Sequence, residues 1–197
     1  IEFSDIFPKP QKHTGVTALD YIIKRTLLRP RDVMQFVNEC FVSAFSQQRV
    51  SWKTISAAES NYSEKRLKSL FEEWGSIYPG LEETIEVLRN IPCVFTRSVI
   101  KDRIDLIIEK LIEYENDPCG KAVEKYCQAD SNSSESDIVV EVINCLFRVG
   151  AIGVKTSSKS PYLWSDFDNA LLSKSSVKRI NQIKVHKMLH RTLGVEE

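Results

Sequence analysis

Residues 26–44, TLLRPRDVMQFVNECFVSA, decide how the rest of the chain is read. Arg29 stands before a proline, which pushes it out of the α region and ends any helix arriving from the N-terminal side. Pro30 suits the first position of a new helix, where its missing N–H costs nothing, and Asp32 suits the positive end of the helix dipole. From there Val33, Phe36, Val37, Cys40, Phe41 and Ala44 recur at helical spacing and make one apolar stripe. Arg29 and Arg31 bracket the helix start. The dipole disfavours an exposed cation there by roughly 0.3–1 kcal/mol. The pair therefore reads either as solvated surface or as a clasp for an anion such as a phosphate.

On the N-terminal side, residues 1–15 carry Pro8, Pro10 and Gly15 and form an extended lead-in. Val16–Leu28 is a short helix with Thr17 as its cap and Leu19, Ile22, Ile23 and Leu27 turned inward. On the C-terminal side, Ser51 caps a helix over 51–59 that carries Trp52, Ile55 and Ala58. Ser63 opens another, SEKRLKSLFEEW, with Leu67, Leu70, Phe71 and Trp74 on one face and the charges opposite. Leu81–Ile91 is a further amphipathic helix. Short helices with short connections make residues 16–92 a helical bundle. Helices 51–59 and 63–75 have the outline of a helix-turn-helix, but Glu64, Glu72 and Glu73 dilute Lys65, Arg66 and Lys68.

Beyond Thr96 the pattern changes. A helix over 97–113 is apolar on one side through Val99, Ile100, Ile104, Ile107, Ile108 and Leu111. A helix over 119–128, a polar gap and a helix over 138–149 follow, the last with Val139, Val142, Ile143, Leu146 and Phe147 inward. Gly150 suits a left-handed C-cap. Residues 151–155 then read as a strand, TSSKSP as a turn and 162–167 as a returning strand. Three helices and a hairpin give residues 93–170 a winged-helix order. Its third helix offers Glu135, Asp137 and Glu141 against one basic residue, Arg148, so phosphate is repelled there. Lys155 and Lys159 of the wing are few, and the domain reads as packing or protein-contact machinery.

Residues 171–197 form a basic C-terminal helix or tail with Lys174, Lys178, Arg179, Lys184, Lys187 and Arg191. These six, with Lys155 and Lys159, are the candidate contacts to nucleic acid or an acidic partner. The alternative is a solvated helical face docked through Val177, Ile180, Ile183, Met188, Leu189 and Leu193. His186 and His190 lie one helical turn apart but lack the glutamate of an H-E-x-x-H site, which favours core or capping roles.

The 197 residues carry zero formal net charge, and no apolar run approaches the ~20 residues of a membrane helix. The chain opens on Ile1 without a signal peptide and reads as a piece of something longer, cytoplasmic rather than membrane-bound. The five cysteines, Cys40, Cys93, Cys119, Cys127 and Cys145, are scattered and read as reduced thiols rather than zinc ligands. No phosphate loop, nucleophile elbow or dinucleotide fingerprint is present, so the chain is not expected to act as an enzyme by itself.

The RPRD turn and its following helix, the NYSEKRLKSLFEEW stretch, the FRVGAIGVK segment and the closing VHKMLHRTLGV resemble the lid and C-terminal half of AAA+ and STAND-type P-loop ATPases of bacterial defence or DNA metabolism. The resemblance implies a mainly α fold, a helical bundle followed by a winged-helix domain with a small β-hairpin. It implies that an arginine near the helix start senses the nucleotide's terminal phosphate. Arg31 is the favoured sensor and Arg29 the other candidate, because Arg31 sits inside the first helical turn. No cofactor is expected in this chain, while ATP and Mg are implied for the parent protein. The implied partners are a preceding ATPase domain of the same chain and a protein partner or second copy. Two other readings stand beside it, a nucleic-acid-binding winged-helix module using the basic tail and wing, and a helical protein-protein adaptor.

Overall fold

The computed structural model describes residues 3–128, 133–165 and 172–196. It is mainly helical with a small three-stranded antiparallel sheet. Contacts group the chain into two compact units, Ile1–Leu67 with Lys187–Thr192, and Lys68–His186 with Leu193–Glu197. Among the described residues no helix is long and apolar enough to cross a membrane.

The first unit opens with α1 (Phe3–Ile6) and α2 (Ala18–Ile23). Thr17 caps α2 as expected, its hydroxyl accepting from the Asp20 amide at 3.0 Å. The helix is shorter than 16–28: Thr17 lies outside it as the cap, and past Ile23 the chain tightens into i→i−3 turns, Arg25 N to Ile22 O at 3.0 Å and Thr26 N to Ile23 O at 3.1 Å. Helix α3 (Pro30–Ser43) starts where the Arg29-Pro30 pair dictates. It buries Phe36, Cys40 and, just past its end, Ala44, but Phe41 stays 44% exposed and two carboxylates, Asp32 and Glu39, join the buried side. The two helices expected over 51–59 and 63–75 are one, α4 (Trp52–Trp74). Ser63 does not start a helix: its hydroxyl donates to the Met188 carbonyl at 2.6 Å and accepts from the Thr192 amide at 3.1 Å. With neither glycine nor proline between Asn61 and Glu64, nothing interrupts the backbone ladder.

In the second unit, α5 (Leu81–Thr84) tightens into a 3-10 turn, Ile85–Leu88, instead of continuing to Ile91. Strand β1 (Val94–Phe95) precedes α6 (Arg97–Lys101) and α7 (Asp105–Leu111), which replace the single helix expected over 97–113. Helix α8 (Pro118–Cys127) is capped by Asp117, whose buried carboxylate accepts from the amides of Cys119 at 2.7 Å and Gly80 at 2.8 Å. One side chain thereby ties α8 to the start of α5. Helix α9 (Glu135–Arg148) begins three residues before the expected 138 because Ser134 and Asp137 form a capping box. Gly150 follows with φ 78°, the left-handed cap its position called for.

Strand β2 (Ile152–Lys155) is followed by an isolated bridge, Val154 to Leu163, where a returning strand over 162–167 was expected. Asp166 and Phe167 lie outside the described residues, as does Leu171 at the head of the tail. The tail is not one helix. It gives α10 (Lys174–Lys178), β3 (Gln182–Val185), a 3-10 turn (Lys187–Leu189) and α11 (His190–Leu193). Strand β3 is the middle of the sheet, in the order β1-β3-β2, with Lys184 opposite both Val94 and Gly153 and Ile183 opposite both Phe95 and Val154. Ile183 and Val185 alternate with Gln182 and Lys184, the period of a strand, and only the inward pair is buried.

Two substitutions probe the two units. Phe36→Ala removes a fully buried ring and is expected to cost roughly 3–5 kcal/mol. Asp117→Ala strands two amides and is expected to cost about 1–3 kcal/mol. Urea unfolding curves of the 197-residue chain check both.

Candidate functional site

Helix α3 begins with Arg29 as its N-cap residue, extended at φ −84° and ψ 132° and making no side-chain cap. Arg31 follows in the first turn with its side chain 70% exposed. Beneath it Asp32 is fully buried, with Oδ1 at 3.9 Å from the Arg31 Nε and Oδ2 at 3.9 Å from the Arg66 Nε. The Arg66 side chain is only 1% exposed. Both Asp32 oxygens and the Tyr62 hydroxyl are buried without a hydrogen-bond partner among the described residues. The Tyr62 ring stacks on Phe36, centroids 4.6 Å apart. Burial, followed by the Asp32 charge, pushes the Tyr62 phenol well above its ordinary 10.0, against the opposing pull of Arg66.

The charge balance of this corner follows. Asp32 faces one buried and one exposed guanidinium. Arg31, its side chain 70% exposed, lies beside the first-turn amides of a 14-residue helix. Such a surface can hold an anion.

The candidate basic residues part company. Arg191 reaches Glu59, Nε to Oε2 at 3.5 Å, and donates to the Ser56 hydroxyl at 3.2 Å. Glu59 also takes the Arg25 Nε at 2.6 Å and the Tyr21 hydroxyl at 2.6 Å, so three donors converge on one buried carboxylate. Burial and the bond to Glu59 push Tyr21 up to about 12. Lys174 pairs with Glu141 at 3.4 Å. The Asp137 carboxyl is held below its usual range by bonds from the Ser134 backbone and hydroxyl, with smaller help from the charges of Lys178 and Lys174. Lys155 and Lys184 converge on the Tyr162 ring, 5.4 and 5.6 Å from its centroid. Lys159 is exposed between β2 and Tyr162, Arg179 is exposed at the C-cap of α10, and Lys187 is half-buried in its 3-10 turn. His186 and His190 are both 6% exposed, and His186 meets Trp164 edge to face at 5.1 Å.

Sequence reasoning missed Arg66, Glu59 and Tyr162. For the first two a signal existed: Ile55, Glu59, Tyr62, Arg66 and Leu70 recur every three or four residues on α4, which puts two charges within an apolar stripe. Nothing local marks Tyr162, because its lysine neighbours come from two strands paired across the sheet.

Comparison with known proteins bears on both units. Residues 1–71 match the family model described as the FunZ-associated C-terminal helical domain. The chain is similar to a putative transposon gamma-delta 80.3 kDa protein of Escherichia coli strain K12, 28% identical over 142 residues, or 70% of this chain and 18% of that protein. It is also similar to Allergen Alt a 2 of Alternaria alternata, 34% identical over 98 residues, or 47% of this chain and 50% of that protein. The matched stretches span half or less of the length of these relatives. No solved structure matches.

Two measurements test these buried groups. Asp32→Ala or Arg66→Ala leaves a buried charge without its counterpart and is expected to cost about 3–5 kcal/mol, whereas Asp32→Ala with Arg66→Met costs less than the sum. Second, burial raises the phenols of Tyr62 and Tyr21 in the first unit, and of the buried Tyr78 in the second, above 10.0 in the folded chain. Their contribution to stability is complete below pH 10.0 and is lost as pH rises through the folded-state values. Unfolding free energy measured against pH is expected to start falling near pH 10.0, while the phenolate absorbance of these three in the folded chain appears only at higher pH.

Proposed function

We propose that the chain is a non-catalytic regulatory region of a larger P-loop ATPase, in which the start of α3 reads the state of nucleotide bound by a preceding domain. The observation that carries this reading is Arg31, which is 70% exposed on a helix start whose carboxylate already faces the buried guanidinium of Arg66. A cation so exposed can reach a phosphate without breaking the core that holds its helix. The match of residues 1–71 to a domain described as C-terminal supports an accessory role. The similarity to a protein described as belonging to a transposon supports a setting in DNA mobility or defence.

In this reading the second unit is a winged helix. Helices α6 and α7, α8 and α9 lie between β1 and β2 in sequence, and β3 closes the sheet between them, which suits that fold. It passes lid closure to a protein partner or a second copy in the cytoplasm. The parent's ATP-binding domain supplies ATP and Mg, and Arg29 sets the backbone that presents Arg31.

Arg31→Ala is the test. In the chain alone it is expected to change unfolding free energy by no more than about 0.5 kcal/mol, as at other exposed positions. In the nucleotide-binding parent it is expected to lower ATP turnover by about tenfold or more, since the charge acts on the terminal phosphate as negative charge moves in the transition state. Unchanged turnover in the parent rules the sensor role out. A loss of stability as large as that of Phe36→Ala makes Arg31 a structural clamp instead.

A further inference from the structure

The outward side of the small sheet collects residues that the core does not use. Strand alternation turns Ile152, Val154, Ile183 and Val185 inward and leaves Gly153, Lys155, Gln182 and Lys184 on the other side. The chain after β2 folds back over this side. Leu163 exchanges backbone hydrogen bonds with Val154 at 2.8 and 2.9 Å, and Trp164 packs so closely on Gly153 that no side chain fits beneath its ring. Tyr162 is held by its hydroxyl, which donates to the Gln182 Oε1 at 3.3 Å. Two ammonium groups approach its ring, Lys155 Nζ at 5.4 Å and Lys184 Nζ at 5.6 Å from the centroid.

Among the described residues neither lysine has a carboxylate within salt-bridge distance, unlike Lys101 with Glu135 and Lys174 with Glu141 in the same unit. Among the described residues, positive charge thus gathers around one oriented aromatic ring, with Lys159 extending it along the exposed turn. The backbone edge of β2 is occupied by Leu163, so an incoming peptide strand finds no row of free amides at Val154. Recognition here must run through side chains. The helix α9 offers no rival surface for an anion, because Glu135, Asp137 and Glu141 line its N-terminal half.

We infer that this sheet face binds single-stranded nucleic acid, with Lys155 and Lys184 on neighbouring phosphates and Tyr162 as the stacking platform for the base between them. A single strand alternates phosphates with exposed π-faces, and an aromatic ring with two ammonium groups beside it complements that chemistry. A duplex hides its base faces, and an acidic peptide has none to stack.

The test is fluorescence anisotropy of the 197-residue chain with labelled oligothymidine of about 15 nucleotides, followed through a salt titration. Tyr162→Leu is expected to weaken binding about tenfold, and Tyr162→Phe, which keeps the ring, to retain most of it. Lys155→Gln and Lys184→Gln are each expected to flatten the logarithmic salt dependence by about 0.7. Lys121→Gln, on α8, is expected to leave the affinity unchanged. The inference is overturned by an absence of binding at low salt, or by equal loss with Lys121→Gln. Competition by polyglutamate or duplex DNA as effective as that by unlabelled oligothymidine also overturns it. Should Tyr162→Leu fail to fold, the two lysine variants and Tyr162→Phe decide the matter alone.

Discussion

A guanidinium buried to 1% exposure cannot be left without a counter-charge, and the pairing of Arg66 with Asp32 sets much of the first unit's arrangement. Arg66 belongs to the middle of α4 and Asp32 to the first turn of α3, so the pair brings the start of one helix against the body of the other. The stacked rings of Phe36 and Tyr62 continue that contact one turn further along each helix. Such a pair contributes little net stability, since desolvation offsets most of the attraction. Its effect is to make other alignments of α3 on α4 costly.

The same constraint recurs at Glu59, where Arg25, Tyr21 and Arg191 gather around one buried carboxylate. Together with the Ser63 hydroxyl, this draws residues Lys187–Thr192 into the unit formed by the first 67 residues. Polar groups on α4 that would be unremarkable at a surface thus become the attachment points of a segment more than a hundred residues later in sequence.

Electrostatics also sorts the cations of the second unit. Lys101 and Lys174 face Glu135 and Glu141, and the Asp137 carboxyl is held by Ser134. Among the described residues, Lys155 and Lys184 meet beside Tyr162, where strand pairing rather than chain proximity brings the charges together.

The amino-acid sequence by itself determined the elements whose signals are local. Arg29-Pro30 placed the start of α3, Thr17 the cap of α2, Gly150 the end of α9, and the apolar spacing of α9 its existence. The mainly helical character was legible for the same reason. Tertiary structure alone decided the rest. Ser63 looks like a cap because its competing partner, the Met188 carbonyl, is 125 residues away. Gln182–Val185 reads as part of a basic helix because four residues carry too little periodicity to reveal a strand until Phe95 and Val154 flank it. Arg31 could be marked as a candidate from its position before the α3 stripe. That its neighbour Asp32 is buried against Arg66 could not, because the partner that makes a buried charge tolerable comes from another helix.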